Sequence, residues 1–189
     1  MASSLFVIGG ARSGKSRHAI AVQPRRARVV FVATAEAGDG DMVARIARHR
    51  AERPGHWATV EEPYELAARV REALASGDAV VVDCLTLWVA NLMGRGDSDD
   101  TILKHADALA ALPGRGRAEL TLVSNEVGEG VHPETADGLR FRDLLGQVNQ
   151  RLAAACDRVV LMVAGIPVTI KGEPNETGRT TRDVAPEAP

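Results

Sequence analysis

The chain has 189 residues and a net charge of −2, with 45% hydrophobic and 25% charged residues. This length and composition fit one globular α/β domain that buries its own core. Because the Lys and Arg residues are spread along the chain without a basic block, we expect no nucleic-acid partner.

The apolar segments predict neither a leader peptide nor a membrane span. The first runs only from Leu5 to Ile8 and is followed by Arg12 and Lys15, so it is too short for a signal peptide. No segment approaches the length that crosses a bilayer. Cys84 and Cys156 lack metal or redox spacing, and we interpret both as buried thiols. We therefore expect a cytoplasmic protein.

Short apolar runs alternate with helical patterns, which predicts a mostly parallel sheet flanked by helices. The predicted strands are Leu5–Gly9, Arg28–Ala33, Ala79–Asp83, Leu120–Ser124 and Arg158–Val163, and Pro167–Ile170 suits an added edge strand. The predicted helices are Lys15–Gln23, Asp41–Arg53, Pro63–Ala75, Thr101–Leu112 and Leu139–Ala155. Gly, Pro and Asp residues predict loops at Pro113–Arg117 and Gly128–Gly138. We expect one domain over 1–171 and a polar, disordered tail over 172–189.

The first strand and helix flank a nucleotide-binding motif. The phosphate loop Gly9-Gly10-Ala11-Arg12-Ser13-Gly14-Lys15-Ser16 fits the pattern G-x-x-x-x-G-K-[ST]. Its glycines let backbone N–H groups face phosphate oxygens, while Lys15 reaches the β- and γ-phosphates and Ser16 binds Mg²⁺. Lys15, Arg17 and His18 also crowd a helix start, where the dipole disfavours cations unless an anion is bound. A Gly-rich connecting turn is the alternative, but both flanks are those that the motif requires. This context predicts a RecA-like P-loop NTPase fold.

The second predicted helix carries His49 among arginines. Met42, Ile46 and His49 share one stripe at helical spacing, which is also the pattern of a core histidine. Arg45, Arg48, Arg50 and Arg53 are suited to phosphate oxygens, although they also fit a solvated basic face. A neutral imidazole is a competent nucleophile, and nearby arginines lower its pKa. Periodicity alone leaves the core and nucleophile interpretations of His49 open.

Polar residues follow two later strands. Asp83 closes the run AVVVD and suits the acid that P-loop enzymes place near the metal, although an Asp here also suits a helix cap. Asn125 and Glu126 follow the fourth predicted strand, at the binding edge of an open α/β sheet. They suit contacts to metal, nucleotide or substrate and equally a hydrogen-bonded turn.

Four segments together resemble a known family. GGARSGKSRHA at Gly9–Ala19, RIARHRAERPGHW at Arg45–Trp57, SNEVGEGVHP at Ser124–Pro133 and VNQRLAAACD at Val148–Asp157 are similar to the bifunctional adenosylcobinamide kinase/adenosylcobinamide-phosphate guanylyltransferase. The resemblance runs from about Leu5 to Lys171. Where some members carry a His pair, this chain has Arg48-His49, with only the second His.

The resemblance implies two steps in cobalamin nucleotide-loop assembly. ATP or GTP phosphorylates the aminopropanol hydroxyl of adenosylcobinamide, and His49 then takes GMP from GTP and passes it to adenosylcobinamide phosphate. His49 and Lys15 are the implied catalytic residues, and Ser16 and Asp83 the implied Mg²⁺ ligands. The implied nucleotide contacts are the phosphate loop with Thr34, Ala35, Glu36, Arg50, Ala51, Glu52, Arg53, Glu61 and Asp83. The family also implies a homotrimer.

Two other functions fit the phosphate loop. A plain small-molecule kinase would use it without guanylylating itself, and His49 would then be a core or phosphate-contacting residue. A nucleotide-binding switch is a second alternative, but the sequence contains no Asn-Lys-x-Asp motif for guanine.

Overall fold

The computed structural model of the protein describes residues 3–36, 50, 53–114 and 117–173. Within them the strands are β1 (Ser4–Gly9), β2 (Val29–Ala33), β3 (Ala58–Glu61), β4 (Ala79–Asp83), β5 (Glu119–Asn125), β6 (Arg158–Val163) and β7 (Ile166–Lys171). The helices of the same residues are α1 (Lys15–Ala21), α2 (Leu66–Ser76), α3 (Leu85–Arg95), α4 (Asp99–Ala110) and α5 (Ala136–Ala155).

The described strands form a seven-stranded sheet in the order β3-β2-β4-β5-β1-β6-β7. Neighbouring strands run parallel except β6 and β7, which are antiparallel. β1 therefore lies between β5 and β6, and its last residue, Gly9, pairs with Asn125 and Met162. Because parallel strands end at a common edge, the loops after β1, β2, β3, β4 and β5 emerge side by side.

The two faces of the sheet bury separate hydrophobic cores. In β1, Phe6 and Ile8 face the core formed with α2, α3, α4 and α5. Leu5 and Val7 face the other core, to which α1 contributes Ala19. Burial on both faces explains why β1, β4 and β6 read as nearly continuous apolar runs.

The predicted α/β fold with a mostly parallel sheet is confirmed. β4 and β6 have the predicted bounds, and the added edge strand is present as β7. Other predicted elements differ by up to three residues at an end, as at the start of α2, which is Leu66 rather than Pro63.

The elements predicted in the sequence analysis include neither β3 nor α3. β3 has four residues, none of them buried, so it lacks the apolar run of a central strand. α3 follows β4 directly, and its Leu85, Trp88, Val89 and Leu92 are completely buried. Their i, i+3, i+4, i+7 spacing is the helical signal, but Gly94 interrupts the pattern near its end.

Several predictions concern residues outside those described. Of the predicted helix Asp41–Arg53, only Arg50 and Arg53 are among the described residues. The N–H of Arg53 donates to the carbonyl oxygen of Arg50 (3.3 Å). Two residues of the predicted loop Pro113–Arg117, at positions 115–116, are also outside, as is the tail beyond residue 173. Among the described helices, none is long and apolar enough to cross a membrane.

The two thiols are protonated at neutral pH. Cys156 is buried and Cys84 is half-buried, and neither forms a disulfide. Burial raises the pKa of the Cys84 thiol to about 11 and that of Cys156 to about 12. Both thiols therefore react weakly, and the burial predicted for the two cysteines is complete for Cys156 and partial for Cys84.

The outer edge strand β7 is exposed along its whole length. Ile166, Val168 and Ile170 are 65%, 44% and 58% exposed, and Val163 at the end of β6 is 52% exposed. An exposed apolar edge strand is suited to association with another chain.

Candidate active site

The phosphate loop lies at the carboxyl edge of the sheet, between the end of β1 and the start of α1. Neighbouring elements hold it from both sides. The N–H of Glu126, after β5, donates to the carbonyl oxygen of Gly9 (3.0 Å). The N–H of Gly165, in the turn between β6 and β7, donates to the carbonyl oxygen of Ser13 (3.0 Å). These bonds occupy carbonyl groups of the loop and fix its path between two neighbouring strands.

Two glycines of the loop stand where a side chain does not fit. A Cβ at Gly9 would lie 2.5 Å from the carbonyl oxygen of Met162, which backbone geometry does not allow. Gly14 caps α1 with φ +94°, a conformation that residues with side chains rarely adopt. The glycines of the motif are thus required by close packing and by backbone conformation.

The lysine of the motif lies along the loop. Lys15 is only 8% exposed, and its Nζ donates to the carbonyl oxygen of Gly10 (2.6 Å). α1 has no side-chain cap and no acidic residue in its first turn, while Lys15 and Ser16 open it. This cationic helix start suits an anion that accepts from its N–H groups.

Asp83 ends β4 at the same edge, two strands from the phosphate loop. Neighbouring strands are about 4.8 Å apart, so the loop and Asp83 are separated by roughly 10 Å across the sheet. The cap residue of α3 is Cys84, which makes no side-chain cap hydrogen bond. The structure therefore does not have Asp83 as the helix cap, which was the alternative to a metal or nucleotide role.

Arg53 brings the charged candidates together. Its guanidinium lies 3.6 Å from the centroid of the Phe31 ring, and its Nη1 donates to Thr59 Oγ1 (3.3 Å). Burial lowers the pKa of Arg53, as does the charge of Arg50, whereas the charges of Asp83 and Glu61 raise it. Arg53 is thus close enough to Glu61 at the end of β3 and to Asp83 at the end of β4 for their charges to act on it.

Glu36 is held by residues that the sequence analysis did not select. The hydroxyl of Tyr64 donates to both carboxylate oxygens of Glu36, at 2.9 and 3.0 Å. The Arg95 guanidinium lies 4.9 Å from the centroid of the Tyr64 ring. Hydrogen bonding to the Glu36 carboxylate raises the pKa of Tyr64. The adjacent Ala35 is half-buried.

The segment after β5 is anchored by buried polar groups. The Asn149 side-chain amide donates to the carbonyl oxygen of Asn125 (3.0 Å), and the Asn125 N–H donates to Thr86 Oγ1 (2.9 Å). Glu126 Oε1 accepts from the Gly128 N–H (2.7 Å). This bond closes a hydrogen-bonded turn, which is one of the two interpretations that the sequence analysis gives for the segment. The bond to Asn125 explains why a polar residue, Asn149, stands on the apolar face of α5.

Three of the predicted site residues are outside the described residues, namely His49, Ala51 and Glu52. The others lie at the carboxyl edge of the sheet: the phosphate loop after β1, Thr34–Glu36 after β2, Glu61 at the end of β3 and Asp83 at the end of β4. Arg50 and Arg53 precede β3. Their roles toward a nucleotide stay predictions.

Comparison with known proteins gives one family and three close relatives. Residues 5–170 match the family described as cobinamide kinase / cobinamide phosphate guanyltransferase. The bifunctional adenosylcobalamin biosynthesis protein CobP of Pseudomonas aeruginosa is 46% identical over 175 residues, which cover 89% of this chain and 98% of that protein. The proteins named bifunctional adenosylcobalamin biosynthesis protein CobU of Salmonella typhimurium and Escherichia coli are 42% and 41% identical, each covering 88% of this chain and 99% of the relative.

Solved structures share the fold at low sequence identity. An ATPase from the type III secretion system of pathogenic bacteria has a TM-score of 0.52 at 10% identity, covering 88% of this chain and 56% of the ATPase chain. A protein from Pyrococcus horikoshii OT3 has a TM-score of 0.57 at 9% identity, covering 92% of this chain and 88% of that chain. At such identity these likenesses support the architecture alone.

Proposed function

This chain belongs to the cobinamide kinase / cobinamide phosphate guanyltransferase family, and we propose that it carries out both reactions of that name. It phosphorylates adenosylcobinamide with ATP or GTP and then transfers GMP from GTP, giving adenosylcobinamide-GDP. The observation that carries the proposal is the phosphate loop at the same sheet edge as Arg53, Asp83 and Glu61, in a chain that matches the family over residues 5–170.

In the first reaction the phosphate loop positions the triphosphate. The substrate hydroxyl oxygen bonds to the γ-phosphorus, the bond from that phosphorus to the β–γ bridging oxygen breaks, and the hydroxyl proton is released. Lys15 and the loop N–H groups stabilise charge on the phosphate oxygens, which is the main contribution a protein makes to phosphoryl transfer.

In the second reaction His49 is the nucleophile. An imidazole nitrogen bonds to the α-phosphorus of GTP and pyrophosphate leaves. A phosphate oxygen of adenosylcobinamide phosphate then bonds to the same phosphorus, and the phosphorus–nitrogen bond breaks. A covalent intermediate divides the transfer into two easier displacements. Arg50 and Arg53, close to His49 in sequence, supply the cations that phosphate oxygens require.

The donor set at the sheet edge fits Mg²⁺ bound together with a nucleotide. The described residues contain no group of three or more His, Cys, Asp or Glu side chains that could hold a metal ion by themselves. Mg²⁺ needs only one or two protein oxygens when water and phosphates complete its six ligands. The Ser16 hydroxyl and Asp83 carboxylate, both half-buried, would provide them. The bound ion would offset negative charge on the phosphates.

Replacement of Asp83 tests this assignment. Asp83→Asn keeps the size and removes the charge, so we expect turnover to fall about 10- to 100-fold and half-saturation to require more Mg²⁺. Mg²⁺ titration of the kinase reaction measures both effects. Asp78→Asn is the matched control, because Asp78 precedes the same strand at the opposite sheet edge and pairs with Arg28 (2.9 Å). An unchanged Mg²⁺ requirement in Asp83→Asn would contradict the metal role.

The two products decide between the bifunctional enzyme and a plain kinase. Purified protein is incubated with adenosylcobinamide, ATP, GTP and Mg²⁺, and the corrinoids are identified by mass spectrometry. The proposal expects adenosylcobinamide phosphate first and adenosylcobinamide-GDP second. Accumulation of the phosphate alone supports the kinase alternative. GTP hydrolysis without any modified corrinoid supports the nucleotide switch.

We propose that the protein works in the cytoplasm, where both nucleotides are supplied, as a homotrimer that covers part of β7. The exposed apolar side chains of β7 support an association surface. A Val168→Asp and Ile170→Asp double variant should therefore be smaller than the parent protein in light scattering coupled to size exclusion. Val131→Asp is the control, because Val131 is 93% exposed on the loop after β5. A parent protein that is monomeric would contradict the trimer.

A further inference from the structure

A single buried residue satisfies both polar groups of the peptide unit that joins Asp83 to Cys84. The N–H of Thr34 donates to the carbonyl oxygen of Asp83 (3.4 Å). The N–H of Cys84 donates in turn to the Thr34 hydroxyl oxygen (2.9 Å). The same hydroxyl donates to the carbonyl oxygen of Cys84 (2.6 Å). Thr34 thus contacts the backbone on both sides of the Cα of Cys84.

These bonds continue the sheet past the end of its ladder. The pairing between β2 and β4 ends with Ala33 opposite Asp83, and Thr34 is the next residue. Beyond Asp83 the chain turns into α3, so its backbone has no further strand partner there. The Thr34 side chain supplies the partners that the ladder no longer provides.

Thr34 has no hydrogen left on its hydroxyl for a nucleotide. A hydroxyl carries one hydrogen, and Cys84 accepts it. Thr34 is completely buried, and its own carbonyl oxygen accepts from the side-chain amide of Asn91 in α3 (2.8 Å). Its contribution to a site at this edge is therefore made through the residues that it holds.

We propose that Thr34 is a positioning residue that fixes the Asp83 carboxylate at the carboxyl edge of the sheet. The inference rests on the proposed role of Asp83 toward Mg²⁺ and nucleotide. A carboxylate that binds a metal–phosphate complex must be held to a fraction of an ångström, and the groups that orient it contribute to affinity. Asn91 supports the arrangement by bonding to Thr34 and, at 3.3 Å, to the carbonyl oxygen of Pro63.

Removal of the hydroxyl tests the proposal. Thr34→Val keeps the shape of the side chain and loses the bonds to Cys84. We expect the Mg²⁺ concentration for half-maximal nucleotide binding to rise about tenfold. Binding is measured by calorimetry with a GTP analogue in which CH₂ replaces the α–β bridging oxygen, so that no GMP is transferred. Thr34→Ser restores the hydroxyl and should stay within about twofold of the parent protein.

A second threonine separates positioning from general loss of stability. Thr121 in β5 is also buried, and its hydroxyl accepts from the Gln23 side-chain amide (3.0 Å) near the other edge of the sheet. Thr121→Val should lower the melting temperature yet leave the Mg²⁺ requirement unchanged. If Thr34→Val does not fold, Thr34→Ala is the replacement variant, because its smaller side chain leaves room for a water molecule. The Mg²⁺ concentration for half-maximal nucleotide binding should rise by the same factor in this variant.

A double-mutant cycle shows whether Thr34 acts through Asp83. In the Asp83→Asn background, Thr34→Val should add less than about twofold, because the carboxylate that it positions is already neutral. Equal and independent effects of the two changes would overturn the proposal. If Asp83→Asn raises the Mg²⁺ requirement and Thr34→Val does not, the positioning role alone is wrong. If neither variant changes it, the assignment of Asp83 fails as well.

Discussion

A Lys15→Ala variant should phosphorylate adenosylcobinamide about 100- to 1,000-fold more slowly than the parent protein, because it lacks the cation that stabilises the transferred phosphate. The Nζ of Lys15 is already within the loop, 2.6 Å from the carbonyl oxygen of Gly10, so it needs little reorganisation to reach a phosphate. Initial rates with varied ATP or GTP, measured by corrinoid product, give kcat and KM separately.

The control for Lys15→Ala is the replacement of a lysine that lies outside the site. Lys104 is exposed on α4, where its Nζ pairs with Asp100 (2.6 Å). Surface pairs of this kind contribute little to stability, so Lys104→Ala should match the parent protein in both rate and melting temperature. Near-normal kinase activity in a folded Lys15→Ala variant would show that the phosphate loop does not bind the reacting triphosphate.

The second large effect concerns His49. With GTP labelled at the α-phosphate and Mg²⁺, the protein should acquire a covalent label that acid removes and alkali spares, as a phosphorus–nitrogen bond requires. His49→Ala should lose the label, and GMP transfer should fall on the order of 10⁴- to 10⁶-fold, which is the effect of removing a nucleophile. Phosphorylation of adenosylcobinamide should continue, because the phosphate loop does not use an imidazole.

His56 provides a matched control within the same sequence segment. It is exposed and seven residues beyond His49, and it lies in the turn before β3. His56→Ala should retain both the label and GMP transfer. A label that persists in His49→Ala, or normal GMP transfer without His49, would contradict the mechanism. Phosphorylation with no label in the parent protein would favour the plain kinase.

Much of the central sheet could be predicted because its strands are buried on both faces. Apart from Asp83 and Arg158 at their ends, Ala79–Asp83 and Arg158–Val163 are continuous apolar runs, and their observed bounds are those predicted. The phosphate loop could be predicted because its chemistry depends on consecutive residues. Close packing at Gly9 and a positive φ at Gly14 both exclude residues that have a side chain, so glycine is visible at both positions in the sequence.

Elements and contacts that depend on distant residues could not be predicted. β3 forms at the sheet edge, where pairing with β2 rather than an apolar run determines its structure. The role of Thr34 depends on Cys84, fifty residues away, and a single threonine gives no local signal for it. The bond from Tyr64 to Glu36 likewise joins segments that only the sheet topology brings together.

The strand order has a consequence for synthesis on the ribosome. β1 is translated before the other strands that the structure describes, yet its sheet neighbours begin only at Glu119 and Arg158. β2, β3 and β4 can pair with one another much earlier, because all three lie before residue 84. The backbone donors that hold the phosphate loop, Glu126 and Gly165, are also translated late. We therefore expect a nascent chain to complete the hydrogen bonds that hold its phosphate loop only after Gly165 has been translated.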